Sequence, residues 1–191
     1  MTSRGVAGFV SKAFSPPLVV CYGAAALLPR TGGEIFWAPL IIAVFVGPPV
    51  AYVLYLLRKG AVSGFHLSKQ TERFRPLKFM VINTAAGMLV FSRLGSPALV
   101  LDVVLACLIA LLAVYAVTLG YKVSAHSAAI SSLAVILLFL YGAVGAVGAV
   151  LIPVVSWARV RLAAHTAAQT VAGFVIGGAV TFAVLAFKGR F

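Results

Sequence analysis

The sequence predicts an all-α integral membrane protein, a bundle of six to seven transmembrane helices that carries three polar motifs on one face. Three observations predict it. Apolar residues make up 63% of the 191 positions and mean hydropathy is +1.14, whereas a soluble domain is nearer about 45–50% apolar. The apolar residues fall in long runs, approaching the roughly 20 helical residues that cross a bilayer, and short polar stretches separate the runs. Between successive polar stretches lie even numbers of predicted crossings, so the chain returns to the same face each time. Residues 1–191 read as a single transmembrane domain, with its motif-bearing core over about 58–173.

Taken in order, residues 1–15 form a basic amphipathic lead-in that ends at Ser15-Pro16-Pro17. A short first span is predicted over about 17–29, closed by a turn at Pro29-Arg30, with Glu34 just beyond. The second span covers about 36–57, and Gly47-Pro48-Pro49 should kink it, because proline lacks the N–H that a helix interior needs. The most polar part of the chain follows, Arg58–Lys78. A third span lies at about 77–92 and a leucine-rich fourth at about 97–120. The polar island Lys122-Val-Ser124-Ala-His126-Ser127 precedes a fifth span to about 141. The triplet Gly142-Ala-Val-Gly-Ala-Val-Gly148 reads as a tight turn where small residues allow close helix contact. A sixth span of about 146–157 carries Pro153, and the last runs over about 166–187 to Lys188-Gly-Arg190. No signal peptide is expected, because no small-residue cleavage site ends the first apolar stretch.

Charge narrows the function. Fifteen Lys/Arg against three acids gives a net charge of +12. With the basic residues in short loops between spans, this suits anionic lipid headgroups and membrane orientation rather than nucleic acid. The acids Glu34, Glu72 and Asp102 are scattered, which disfavours a magnesium-binding carboxylate cluster and paired-carboxylate catalysis; no metal or cofactor is expected. Cys21 and Cys107 sit in apolar segments and read as packing residues. Asp102 can serve the helix dipole or pair with Arg93. Tyr115 and Tyr121 read as interface anchors, and His66 as structural.

The chemistry concentrates in Ala158–Gly173, where Arg159, Arg161, His165 and Gln169 interrupt an apolar run. Charged groups at a membrane are costly unless they have a partner or a task. His165 and Gln169 are four apart, so a helix stacks them on one face. A histidine that attacks phosphorus needs one ring nitrogen free while the other holds its proton against an acceptor, which the Gln169 amide oxygen can supply. Arg159, Arg161, Lys122, Lys69, Arg73 and Arg75 can cradle phosphate oxygens, and Ser124 can donate to them. His126, near a helix N-terminus, can protonate a leaving oxygen and then activate water.

These segments resemble the type 2 phosphatidic acid phosphatase superfamily, whose three motifs are K-x6-R-P, P-S-G-H and S-R-x5-H-x3-D. Ser124-Ala125-His126 resembles the second. Ala158-Arg159, five residues, His165, three residues and Gln169 resembles the third with its spacing intact. Lys69, five residues and Arg75-Pro76 resembles the first with one residue fewer, and Glu72-Arg73 before Pro76 offers a competing alignment, so either Arg73 or Arg75 is the ligand. Val123, Ala125, Ala158 and Gln169 depart from the family residues. The wording KVSAHSA…AHTAAQTVAG is similar to a bacterial branch in which glutamine replaces the third-motif aspartate.

The resemblance implies His165 as nucleophile, His126 as general acid, and Lys69, Arg75, Ser124 and Arg159 as phosphate ligands. The expected activity is metal-independent hydrolysis of a lipid or isoprenoid phosphate through a phosphohistidine intermediate. A phosphatidic acid, phosphatidylglycerophosphate or polyprenyl phosphate would be the substrate and the lipid bilayer a partner, with no nucleic acid and the oligomeric state left open. The alternative is a non-catalytic protein that binds or transports phospholipid through a degenerate phosphate site. A third reading passes the phosphoryl group to an acceptor other than water. The expected location is a prokaryotic inner membrane. Most of the basic residues share the motif face, against Arg30, Arg93, Lys188 and Arg190 on the other, so the positive-inside tendency places the site on the cytoplasmic side.

Overall fold

A computed structural model describes residues 2–32, 35–64, 67 and 69–189. Glu34, His66 and Arg190 lie outside the described residues. Among the described residues every regular element is helical: α1 (Ser3–Ala13), α2 (Pro16–Leu27), α3 (Trp37–Phe45), α4 (Gly47–Arg58), α5 (Phe74–Arg93), α6 (Ala98–Gly120), α7 (Ala125–Tyr141), α8 (Leu151–Arg161) and α9 (Ala167–Phe187). Short 3₁₀ turns, Leu28–Arg30 and Thr71–Arg73, extend α2 and precede α5, and a longer 3₁₀ helix, Gly142–Val150, precedes α8. By length and composition, five stretches are long and apolar enough to cross a membrane, or six if α1 and α2, bent by 54°, count as one span. Such a chain is compatible with an integral membrane protein.

Local chemistry explains the breaks. Pro48 and Pro49 occupy the first turn of α4, where missing N–H groups are tolerated, and α3 stops one residue earlier, at Phe45. The kink predicted from Gly47-Pro48-Pro49 is therefore a single-residue break at Val46.

The segment after α7 differs from the sequence expectation. In place of a turn leading to a span at 146, the chain reverses at Gly142 (φ +58°) and runs back along α7 as the 3₁₀ helix and α8. Gly148 packs on Ala134 and Leu137, Val155 joins Ile130 and Leu133 in one apolar cluster, and Ser156 comes level with Ser127. The 3₁₀ form suits the repeat Gly-Ala-Val once it is packed on α7. A helix of about three residues per turn puts every third residue in one column. The Gly145 and Gly148 column faces α7, so tightly that a Cβ on Gly145 would overlap the Leu137 carbonyl, while Val144, Val147 and Val150 face outward. A 3₁₀ helix also rises about 2.0 Å per residue against about 1.5 Å in an α-helix. The nine residues of the 3₁₀ helix and the eleven of α8 together reach about 34 Å, past a hydrocarbon core of about 30 Å.

The result is an up-and-down bundle with two distinct ends. One end gathers the start of α5, the end of α6, the starts of α7 and α9 and the end of α8. At the other end the Arg30 guanidinium donates to the Leu140 carbonyl, Tyr141 Oη donates to the Ala26 carbonyl at 2.5 Å, and Lys188 pairs with Asp102 at 3.6 Å. Asp102, which the sequence left either to serve the helix dipole or to pair with Arg93, pairs with Lys188 just past the end of α9, because α9 runs antiparallel to α6 and ends beside its first turns.

The tightest helix pair is α7 with α9. A Cβ on Gly173 would overlap the Ser124 carbonyl, and one on Gly177 the Ala128 carbonyl. Small residues four apart admit this backbone approach, which in lipid drives association where the hydrophobic effect does not. Ser132 Oγ donates to the Gly177 carbonyl at 3.1 Å and Thr181 Oγ1 donates to Ser132 Oγ at 3.0 Å, fixing the register of the two helices.

Candidate functional site

The site is assembled where α8 ends and α9 begins. Ala163 holds a left-handed backbone (φ +54°) at the end of α8, and the N–H groups of Ala164 and His165 both turn back to the Arg159 carbonyl at 3.1 and 3.4 Å. That turn buries His165 and points the Ala164 carbonyl at Lys122, whose Nζ donates to it at 2.9 Å. Thr166 then caps α9: its Oγ1 accepts from the Gln169 N–H at 3.3 Å, and the Thr166 N–H donates to Gln169 Oε1 at 3.2 Å. This reciprocal capping box satisfies two helix-end donors. It also fixes the Gln169 side chain where it can orient the histidine.

The tautomer of His165 follows from its partners. Arg73 Nη2 lies 3.0 Å from His165 Nε2. A guanidinium can only donate, so Nε2 carries the lone pair. The proton is then on Nδ1, which donates to Gln169 Oε1 at 3.1 Å. Burial first, then the charges of Arg73, Arg159 and Lys122, push the His165 pKa down to about 3 from the ordinary 6.5, against the opposing hydrogen bond to Gln169. The ring is neutral at pH 7, with Nε2 directed toward the cations. Lys122 is lowered as well, by burial and then by Arg73 and Arg159.

The way the cations are held is the most informative feature. Arg73 Nε and Nη1 donate to the Leu67 and Val123 carbonyls at 2.8 and 2.7 Å, and its third contact is the neutral His165. Arg159 Nη1 donates to Ser11 Oγ at 2.6 Å, while its Nε, buried, has no hydrogen-bond partner among the described residues. Every acceptor is uncharged. Among the described residues the single ion pair is that of Lys188 with Asp102, at the far end. Buried charge is unfavourable unless it is paired, so an anion placed here would find donors and uncompensated positive charge.

An apolar cavity of about 310 Å³ leads away from the cluster. Arg73 and His126 lie in its wall with Val123, and the remainder of the lining is largely apolar, including Val19, Phe45, Met80, Val104, Leu111 and Leu133. Of the cluster, Arg73 reaches this lining, and a largely apolar cavity with a cation in its wall suits an amphiphile.

The residues proposed from the sequence separate into three groups. Arg73, Lys122, Arg159, His165 and Gln169 come together. His126 is buried in the first turn of α7, beside the cavity, and Ser124 is that helix's N-cap. Ser124 Oγ accepts from the N–H and the hydroxyl of Ser127 at 3.3 and 3.1 Å, so its own proton stays free to donate. Lys69 and Arg75 are exposed. Arg75 borders a separate surface cleft with Glu72, which is itself held by Ser63, and neither cation is among those acting on His165. Of the two first-motif alignments, the buried one is Arg73. Arg161 turns outward to Ser3.

Two residues were missed by sequence reasoning, Ser11 and Gln70. Gln70 Nε2 donates to the Thr118 carbonyl at 2.8 Å and ties the approach to α5 to the end of α6. The spacing Ser3, Ala7, Ser11 was the available signal for Ser11, a small-residue stripe on one face of an amphipathic helix. In comparisons with protein-family models, curated proteins and solved structures, nothing matches the chain.

Proposed function

We propose that this chain is a membrane-integrated phosphatase of lipid or isoprenoid phosphates, working through a phosphohistidine in the manner of the type 2 phosphatidic acid phosphatases its polar segments resemble. The observation that carries the reading is a neutral His165 with its Nε2 lone pair facing Arg73, beside Lys122 and Arg159, with every cation held by uncharged acceptors. A phosphate dianion would supply the missing charge, drawing Arg73 from Nε2 onto its own oxygens. Nε2 would then attack phosphorus as the P–O bond to the lipid breaks. His126 would give its proton to the departing oxygen, then take one from the water that cleaves the P–N bond and releases inorganic phosphate. Gln169 keeps the ring in the productive tautomer throughout. The apolar cavity ending at Arg73 supports a substrate with a long chain, and the reading needs no metal.

In this reading the bent α1–α2 pair and the two legs on either side of Gly142 each count as crossings. The bundle then has seven spans, within the six to seven expected from sequence, in a prokaryotic inner membrane with the cationic end cytoplasmic. Purified protein should release phosphate from a panel of lipid phosphates, also in excess EDTA, and His165→Ala should abolish release while the protein stays folded. Unchanged turnover in that variant would overturn the proposal.

One observation favours a second reading, a protein that binds phospholipid without turnover. Arg73 already occupies the Nε2 lone pair, and Gln169 offers an emerging imidazolium no negative charge. Saturable binding of lipid phosphates with no phosphate released from any of them would select it.

A further inference from the structure

Nothing in the three polar segments explains the N-terminal helix. Yet α1 packs along α8, and the two serines at the ends of its inward face each hold one arginine of Ala158-Arg-Val-Arg161: Ser3 Oγ accepts from Arg161 at 2.9 and 3.1 Å, and Ser11 Oγ accepts from Arg159 at 2.6 Å. Ser3, Ala7 and Ser11 are four apart and share this face, and Ala7 and Ser11 are buried against the bundle. On the opposite face Val6 and Phe9 are exposed, flanked by Arg4 and Lys12.

We infer that Ser11 is a positioning residue, and that α1 through it is a working part of the phosphate site. Three observations carry the inference. First, Arg159 is 3% exposed, and among the described residues its Nη1 is engaged by this hydroxyl alone and its Nε has no hydrogen-bond partner. Ser11 therefore fixes the angle of the guanidinium plane and leaves donors over for a ligand. Second, the acceptor is neutral. A carboxylate there would hold the arginine more firmly, but it would cancel the charge that a phosphate requires. Third, the Arg159 carbonyl accepts from the N–H groups of Ala164 and His165, so the residue gripped by α1 is also the pivot of the turn that presents the histidine. The inference rests on the reading of Arg159 as a phosphate ligand.

The test compares wild type, Ser11→Ala, Ser11→Thr, Arg159→Ala and the Ser11→Ala/Arg159→Ala double variant in detergent. KM and kcat are measured on a short-chain lipid phosphate, and affinity for orthovanadate is measured by calorimetry. Ser11→Ala should weaken vanadate binding and raise KM about tenfold, the order expected for a hydrogen bond to a charged group, with kcat changed less. Ser11→Thr should restore both to within about twofold. In the Arg159→Ala background, removing the hydroxyl should have no further effect.

A Ser11→Ala effect that persists in the Arg159→Ala background would overturn the inference, since it would show that the serine only stabilises helix packing. Unchanged vanadate affinity in Ser11→Ala would overturn it too, whatever happens to turnover. Wild type that fails to bind vanadate would remove the anion site and the inference together. Ser11-dependent vanadate binding in a protein that releases no phosphate would uphold the positioning role while the phosphatase reading fails.

Discussion

The backbone N–H of Ser124 donates to the carbonyl of Gln169 at 3.1 Å, joining the N-cap of α7 to the first turn of α9. Two segments forty-odd residues apart are thereby locked at the end of the bundle where His126 and His165 are presented. The bond exists because Gly173, one turn further along α9, lets the two backbones touch. Gly173→Ala should therefore destabilise the protein by about 1–3 kcal/mol through overpacking against a carbonyl that cannot move aside. Gly178→Ala, whose added Cβ would sit 3.6 Å from Ser131 Cβ, should be near neutral. Thermal unfolding of both variants in detergent checks the contrast.

Arg73 and Arg75 give a sharper separation. Arg73→Met removes a cation that faces His165 and lines the cavity, and should weaken orthovanadate binding at least tenfold, the loss of a charge-assisted hydrogen bond. Arg75→Met, at an exposed position, should stay within about twofold, as exposed charges contribute little. Equal losses in the two variants would refute the assignment.

The titration of His165 has a definite sign. With its pKa pushed down to about 3, the ring stays neutral in the folded protein while an unfolded chain takes up a proton near pH 6.5. Its contribution to stability is thus intact above about pH 6.5 and lost progressively as pH falls toward 3. Nitrogen-15 NMR of labelled histidine should show an Nδ1–H tautomer persisting below pH 5. In Arg73→Met the midpoint should move up toward 6.5, because one of the charges that depress it is gone.

Gln169 performs two tasks that substitution can separate. Gln169→Glu keeps an oxygen for Thr166 N–H and for Nδ1–H, so the cap should survive, and its negative charge should raise the His165 pKa. Gln169→Leu loses both bonds; α9 should weaken by about 0.5–2 kcal/mol and phosphate release should fall by tenfold or more. A Leu variant with full turnover would show that tautomer control is unnecessary.

Ala163 carries backbone strain that glycine would relieve. At φ +54° an L-residue with a Cβ is disfavoured by about 1–2 kcal/mol, so Ala163→Gly should raise thermal stability, less the part offset by a more flexible unfolded chain. The turn and the His165 environment should persist, readable as an unchanged histidine titration.

What the sequence determined by itself is local. Apolar runs of bilayer length, prolines at Pro48 and Pro49, and the spacing of Arg159, His165 and Gln169 depend on neighbours within a few residues, where helix geometry alone fixes which side chains share a face. The break in the second span was legible for that reason. The pairing of His165 with Gln169 was legible only as a spacing of four: His165 lies one residue before the N-cap Thr166, and the two side chains meet through the capping turn and not on a shared helix face. The tertiary structure decided everything that needs an angle between helices. It buried Arg73 and left Arg75 exposed, two positions apart, because the start of α5 turns one side chain into the bundle and the other out. It turned the Gly-Ala-Val repeat from a turn into a 3₁₀ leg, since only the packing of Gly145 and Gly148 against α7 makes that tight helix favourable. It also brought Ser11 to Arg159 across 148 positions, a contact that no periodicity encodes, because it depends on how α1 lies against α8.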